Sequence, residues 1–209
     1  MRKIKLFLVV ACVAMLAACN TKPVETEKEM KYENETIATI MERRSIRKYK
    51  PEAVSRETLE KIMECGINAP NGQNKQSWEV RVVDNPTVMA EINAVIAEAY
   101  GEKAEMAVGC FRGAPVMVFI ARDLAYDFSA YDCGLLAENI MLSAQSLGVG
   151  SICLGSPVRI INDSEACAPV LERLGFSEGY EFCLCVGLGY ADEAPEAKPR
   201  MKEKVRFVE

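Results

Sequence analysis

No histidine occurs anywhere in the 209 residues. That absence excludes the Ser-His-Asp triad, the Cys-His pair, histidine-containing zinc sites and imidazole acid–base catalysis together. The nine cysteines include no C-x-x-C pair, so iron–sulfur clusters and four-cysteine zinc sites lack their usual ligand spacing. Positive charge is also in deficit, with 25 Lys+Arg against 30 Asp+Glu and a net charge of −5. An acidic chain without a long basic run is no nucleic-acid binder. Neither G-x-G-x-x-G nor the lysine of a phosphate-binding P-loop is present, which removes the Rossmann and Walker readings. The apolar run at residues 6–17 is too short for a spanning helix. Any chemistry must come from other side chains or from a borrowed cofactor.

What is present is an ordinary globular balance, 50% hydrophobic and 26% charged, in a length suited to one domain with short extras. Arg2, Lys3 and Lys5 precede the apolar run, and Leu16-Ala17-Ala18-Cys19 closes it with small residues before a cysteine. This is the layout of an export signal. The closing tetrad resembles the lipobox of bacterial lipoproteins, which implies cleavage before Cys19 and lipidation of Cys19; a signal cut elsewhere, with Cys19 incidental, is the alternative. Residues 20–36 are polar, acidic and nearly free of large apolar side chains, so they read as a solvated tether. The chain thus divides into a signal peptide at 1–18, Cys19 with its tether at 19–36, and a folded domain at 37–209.

Within that domain, helical periodicity is expected at residues 37–42, and at 58–67 behind Ser55 as N-cap. Residues 79–83 alternate as a strand, Pro86 opens a helix, and residues 115–121 form the continuous apolar run of a strand covered on both faces. A long helix spans 129–147, where Asp132, Glu138 and Asn139 argue against a membrane span. Strands follow at 151–154 and 182–188, with a helix to Leu174 capped by Asn162 or Ser164 between them, and residues 205–208 read as an edge strand. Helices mixed with few strands predict an α+β domain built on a central sheet. Cys183 and Cys185, two apart on a strand, are expected on one face. The seven cysteines beyond Cys19 read as buried free thiols, with oxidation the alternative for an exported chain.

Four stretches carry candidate chemistry. Arg43-Arg44-Ser45-Ile46-Arg47 groups three guanidinium forks with a hydroxyl, a set that binds phosphate oxygens. Residues 68–76 hold five carboxamides (Asn68, Asn71, Gln73, Asn74 and Gln76) beside Pro70 and Gly72, suited to the edge of a heterocycle. Gly155, after the strand ending at Leu154, permits close backbone approach to a ring. Lys198 and Arg200 return two cations near the end of the chain. Taken singly, each also fits a bland reading: a solvated face, a polar loop, a strand bend, a charged tail.

Together, RRSIRKY, the AP-x-x-x-N-x-Q-x-W loop, DCGLLAENIMLSAQSLGVGSICLG and the closing KPR resemble, in order, the nitroreductase family of FMN-dependent oxidoreductases. Ser77 departs from the proline that the family usually carries before the tryptophan. The resemblance implies a mostly antiparallel sheet flanked by helices in a domain-swapped homodimer. It implies that Arg43, Arg44 and Ser45 hold the FMN phosphate and ribityl chain, with Lys198 or Arg200 completing the phosphate site. Arg47 would sit by N1 and O2 of the ring, and Asn74 at its pyrimidine edge. Pro70 and Asn71 would pack near the ring from the partner subunit, with Gln76 a further cofactor contact. Leu154 and Gly155 would line the other side.

The implied activity passes a hydride or two electrons from NAD(P)H through the flavin to a nitroaromatic, quinone or flavin-like acceptor. The implied location is a bacterial membrane surface facing the periplasm or the exterior, with membrane lipid as partner through acylated Cys19. Residues 98–113 would shape the acceptor site. Export separates the protein from cytoplasmic NAD(P)H, so a lipid-anchored redox module fed by a membrane-side donor is the alternative.

Overall fold

The computed structural model describes residues 31–209. The signal segment, Cys19 and the first part of the tether lie outside the described residues. Helix α1 (Glu35–Glu42) starts two residues before the expected domain boundary, because the Asn34 side chain caps it by accepting from the Ile37 amide at 3.0 Å. Helix α2 (Arg56–Ile67) is capped by Ser55 as expected, and strand β1 (Trp78–Val83) leads into α3 (Pro86–Tyr100). A short helix α4 (Ala104–Val108) precedes β2 (Val116–Asp123), and the long helix α5 (Ser129–Ser146) precedes β3 (Gly150–Leu154). Helices α6 (Ser156–Asn162) and α7 (Ala168–Leu174) then lead to β4 (Tyr180–Gly189).

The four strands form one antiparallel sheet in the order β1-β2-β4-β3. Strand β2 explains the layering: Met117 and Phe119 face a core shared with α3, α4, α6 and α7, while Val116, Val118 and Ile120 face α2 and α5. Phe119 packs between Phe111 and Phe182, with ring centroids 6.0 and 5.6 Å away. This is the expected α+β architecture.

Three sequence expectations are corrected. Register shifts between Ile120 and Ala121, whose partners are Leu184 and Phe182, so Cys183 is bulged out of the ladder. The bulge turns Cys183 toward α5 while Cys185 stays in the opposite core, and the two do not share a face. Ser156-Pro157 form the first turn of α6, where the N–H that proline lacks would have had no helical partner anyway. Asn162 therefore ends a helix instead of starting one; its amide donates to the Phe182 carbonyl at 2.8 Å, and Ser164 makes no capping bond. Residues 205–208 form no strand, because among the described residues no edge of this chain pairs with them.

The seven cysteines among the described residues are free, with Cys110, Cys133, Cys167 and Cys185 buried and Cys153 exposed. Burial pushes the Cys110 thiol up to about 12 from an ordinary 9.0, against a smaller opposing pull from Arg112. Above pH 9 the unfolded chain loses this proton and the folded chain keeps it, so the unfolded state binds fewer protons and stability falls as pH rises. The decline from this one thiol continues to about pH 12. Urea unfolding at pH 8, 9 and 10 should show this decline, with a shallower slope in Cys110→Ala; equal slopes would show that Cys110 does not contribute.

Candidate functional site

The arginine segment is laced into the fold by backbone hydrogen bonds. After α1 the chain runs beside β3, where Ser45 bridges Ser151 and the Ile46 amide donates to the Ser151 carbonyl at 2.9 Å. It then pairs with the segment after β4: Lys50 N–H donates to the Tyr190 carbonyl at 2.8 Å and Asp192 N–H to the Lys48 carbonyl at 2.9 Å. Glu193 accepts from the amides of Arg47 and Lys48. Tyr49 anchors the turn, its hydroxyl donating to the Ile46 carbonyl at 2.8 Å. Burial, then Glu193, holds that phenol well above its usual range, although Arg47 pulls the other way.

This pairing brings residues 195–200 back over residues 40–47. Together they line a cleft of about 530 Å³ that contains Arg43, Arg44, Ser45, Arg47, Lys198 and Arg200. Five cations face one carboxylate, Glu196, in a chain whose net charge is negative. The arginines donate only to nearby backbone carbonyls: Arg44 to Met41 and Arg43, Arg47 to Ser45, and Arg200 to Lys198. Among the described residues none of the five forms an ion pair within the chain, and Nη1 of Arg43 is buried without any partner. A buried guanidinium nitrogen without an acceptor is costly, and a phosphate oxygen is an acceptor of the right charge. The cleft fits a phosphate monoester.

The carboxamide loop is a separate feature, and none of its residues lines the cleft. Gln73, Asn74 and Gln76 all have positive φ, at 55°, 54° and 49°. The loop is docked at the first turn of α5, where buried Asp132 accepts from Gly72 N–H and the Ser77 hydroxyl. Asn71 accepts from the Gln76 amide, which turns Asn74 and Gln76 outward. Gly72 is required: a Cβ there would lie 2.1 Å from the Tyr126 hydroxyl. Pro70 is exposed beside it.

The third group falls elsewhere again. Leu154 buries its side chain in the core, whereas a Cβ on Gly155 would meet no atom of the chain. The bridge between Ser45 and Ser151 places β3 beside the arginine segment. Residues 98–113 bury Ala107, Cys110 and Phe111 and do not line the cleft.

Sequence reasoning missed Glu193 and gave Asp132 no role at the site. Glu193 carries no local signal, since its partners lie about 146 positions away. Asp132 did leave one: it and Glu138 are the two acids of a largely apolar helix, and Asp132 is the buried one.

The nitroreductase family model matches residues 40–190. Among solved structures, a nitroreductase with bound FMN from Desulfitobacterium hafniense is 36% identical at a TM-score of 0.75, covering 85% of this chain and all of that one. A nitroreductase with bound FMN from Bacteroides fragilis is 26% identical at a TM-score of 0.73, covering 84% of this chain and all of its own. An NADPH-flavin oxidoreductase of Vibrio harveyi is 32% identical over 183 residues, or 82% of this chain and 72% of that protein.

Proposed function

The chain belongs to the nitroreductase family, and from that premise we propose an FMN-dependent oxidoreductase that takes electrons from NAD(P)H and delivers them to a nitroaromatic, quinone or flavin-like acceptor. The observation that carries this reading is the cationic cleft with its unpartnered Arg43 nitrogen. FMN supplies the redox chemistry when bound, accepting a hydride or electron pair and passing it on. The chain's own residues bind and orient. Arg43, Arg44, Ser45, Lys198 and Arg200 hold the phosphate, which is close to dianionic near neutral pH. Arg47 adds a fixed positive charge at the other end of the same segment, and such a charge favours an electron-rich ring. No imidazole is needed, because no step asks the protein for a proton shuttle of that kind. Flavin absorbance of the purified chain is expected to bleach on anaerobic NADPH addition. A protein that takes up no FMN would overturn the reading.

A homodimer follows from the same premise. The carboxamide loop is outside the cleft of its own chain, so it is free to serve the cleft of a partner. The chain end carries exposed apolar side chains between its charges, with Phe207 93% and Val208 97% exposed. An apolar groove lies over β1, one of the sheet's two edge strands, lined by Met63, Ile67, Val80, Val82, Leu136 and Ile140. In the swapped arrangement each tail occupies the partner's groove.

Lipidation of Cys19 and placement at a bacterial membrane surface belong to this proposal on the sequence layout alone. That layout also favours the second reading, a flavin module fed by a membrane-side donor. Bound flavin that NADPH leaves oxidised would support it.

A further inference from the structure

We infer that Asp132 and Ser77 form a clamp that positions the carboxamide loop toward the flavin ring, so that Asp132 is a positioning residue of the site. This inference rests on the FMN reading above.

The loop adopts a backbone that its own residues resist. Gln73 and Gln76 lie in the left-handed region at a cost on the order of 1 kcal/mol each, with Asn74, which tolerates that region, between them, and such strain persists only where surroundings over-determine it. Asp132 is that surrounding. It is 3% exposed, within the first turn of α5, where the helix dipole favours a negative charge. Its Oδ1 accepts from Gly72 N–H at 3.0 Å, before the strained residues, and its Oδ2 accepts from the Ser77 hydroxyl at 2.6 Å, after them. One carboxylate thus ties both ends of the strained stretch to a rigid helix.

Ser77 is itself only 1% exposed, and its carbonyl accepts from Asp123 N–H at 3.0 Å. The hydrogen bonds to Asp132 and Asp123 fix the loop where it enters β1. The serine standing where proline is usual therefore restrains the loop by a hydrogen bond, where a proline ring would restrain the backbone directly. Two further contacts close the span: Asn71 Oδ1 accepts from the Gln76 amide at 2.9 Å, and Lys75 Nζ sits 4.5 Å from the Tyr126 ring centroid. Asn74 and Gln76 are exposed while the backbone carrying them is held. Polar groups presented on a fixed backbone bind without paying again for ordering.

The test compares Ser77→Ala and Asp132→Asn with the parent chain, using two flavins and one cofactor-free measurement. Riboflavin lacks the phosphate, so it reports the ring end alone. Ser77→Ala is expected to weaken FMN and riboflavin by the same factor, about tenfold, leaving the ratio of their dissociation constants unchanged. In the flavin-free protein, hydrogen exchange at the amides of residues 72–76 should rise in Ser77→Ala, with exchange in β2 and β4 unchanged. Asp132→Asn keeps an acceptor for Gly72 and should fall between parent and Ser77→Ala. Parent-like exchange in the loop of Ser77→Ala, or parent-like riboflavin affinity, would overturn the clamp. A parent that binds neither flavin overturns the functional reading instead, and the exchange measurement then decides the clamp alone.

Discussion

Arg43→Ala is expected to weaken FMN binding about a hundredfold while leaving riboflavin affinity within about twofold of the parent. The magnitude comes from the environment of this guanidinium. Its Nη1 is buried and unpartnered, so an incoming phosphate oxygen meets a donor that has already lost its water. Hydrogen bonds between charged groups contribute roughly 1.5–3 kcal/mol each, and a fork can make two. The same isolation predicts the sign of a second effect. An unsatisfied buried donor is a cost to the flavin-free protein, so Arg43→Ala should leave that state as stable as the parent or more so in urea. Salt sharpens the contrast, because raising ionic strength should lower FMN affinity in the parent and barely alter riboflavin affinity. Equal losses for both flavins, or a marked drop in flavin-free stability, would make Arg43 a residue of the fold and not of a phosphate site.

Removal of residues 201–209 is the second large effect expected. Truncation after Arg200 keeps both tail cations of the cleft and deletes Met201, Val205, Phe207 and Val208, all exposed in the single chain. Burying such side chains contributes about 1.5–3 kcal/mol each, and a symmetric swap buries two sets. The gross gain is on the order of 10 kcal/mol before ordering and association costs. A dimer deprived of it should dissociate at least a thousandfold more readily, seen as a concentration-dependent mass in sedimentation equilibrium. Flavin affinity should fall with it if the partner's loop completes the cleft. A truncated chain with the parent's dimer affinity would show that the tails do not hold the copies together.

Much of this protein follows from residue order alone. The period of α2 and its Ser55 cap, the apolar run of β2 and the length of α5 are local properties, set by side-chain spacing along one segment, and they are legible without coordinates. The arginines of residues 43–47 and the carboxamides of 68–76 declare their chemistry the same way, since a guanidinium or an amide carries its hydrogen-bonding capacity into any fold.

Tertiary structure decided what depends on a partner. Cys183 and Cys185 alternate in sequence, yet a single bulge opposite Ile120 and Ala121 sends them to opposite cores. Residues 205–208 have a strand's composition but, among the described residues, no neighbouring strand to complete their backbone hydrogen bonds. Lys198 and Arg200 join Arg43 only because the segments on either side of Glu193 and Tyr49 pair across some 146 positions. Asp132 looks like an intruder in an apolar helix until Gly72 and Ser77 are seen to converge on its two oxygens. A side chain's type sets what it can bind, and its place in the fold determines which groups it meets.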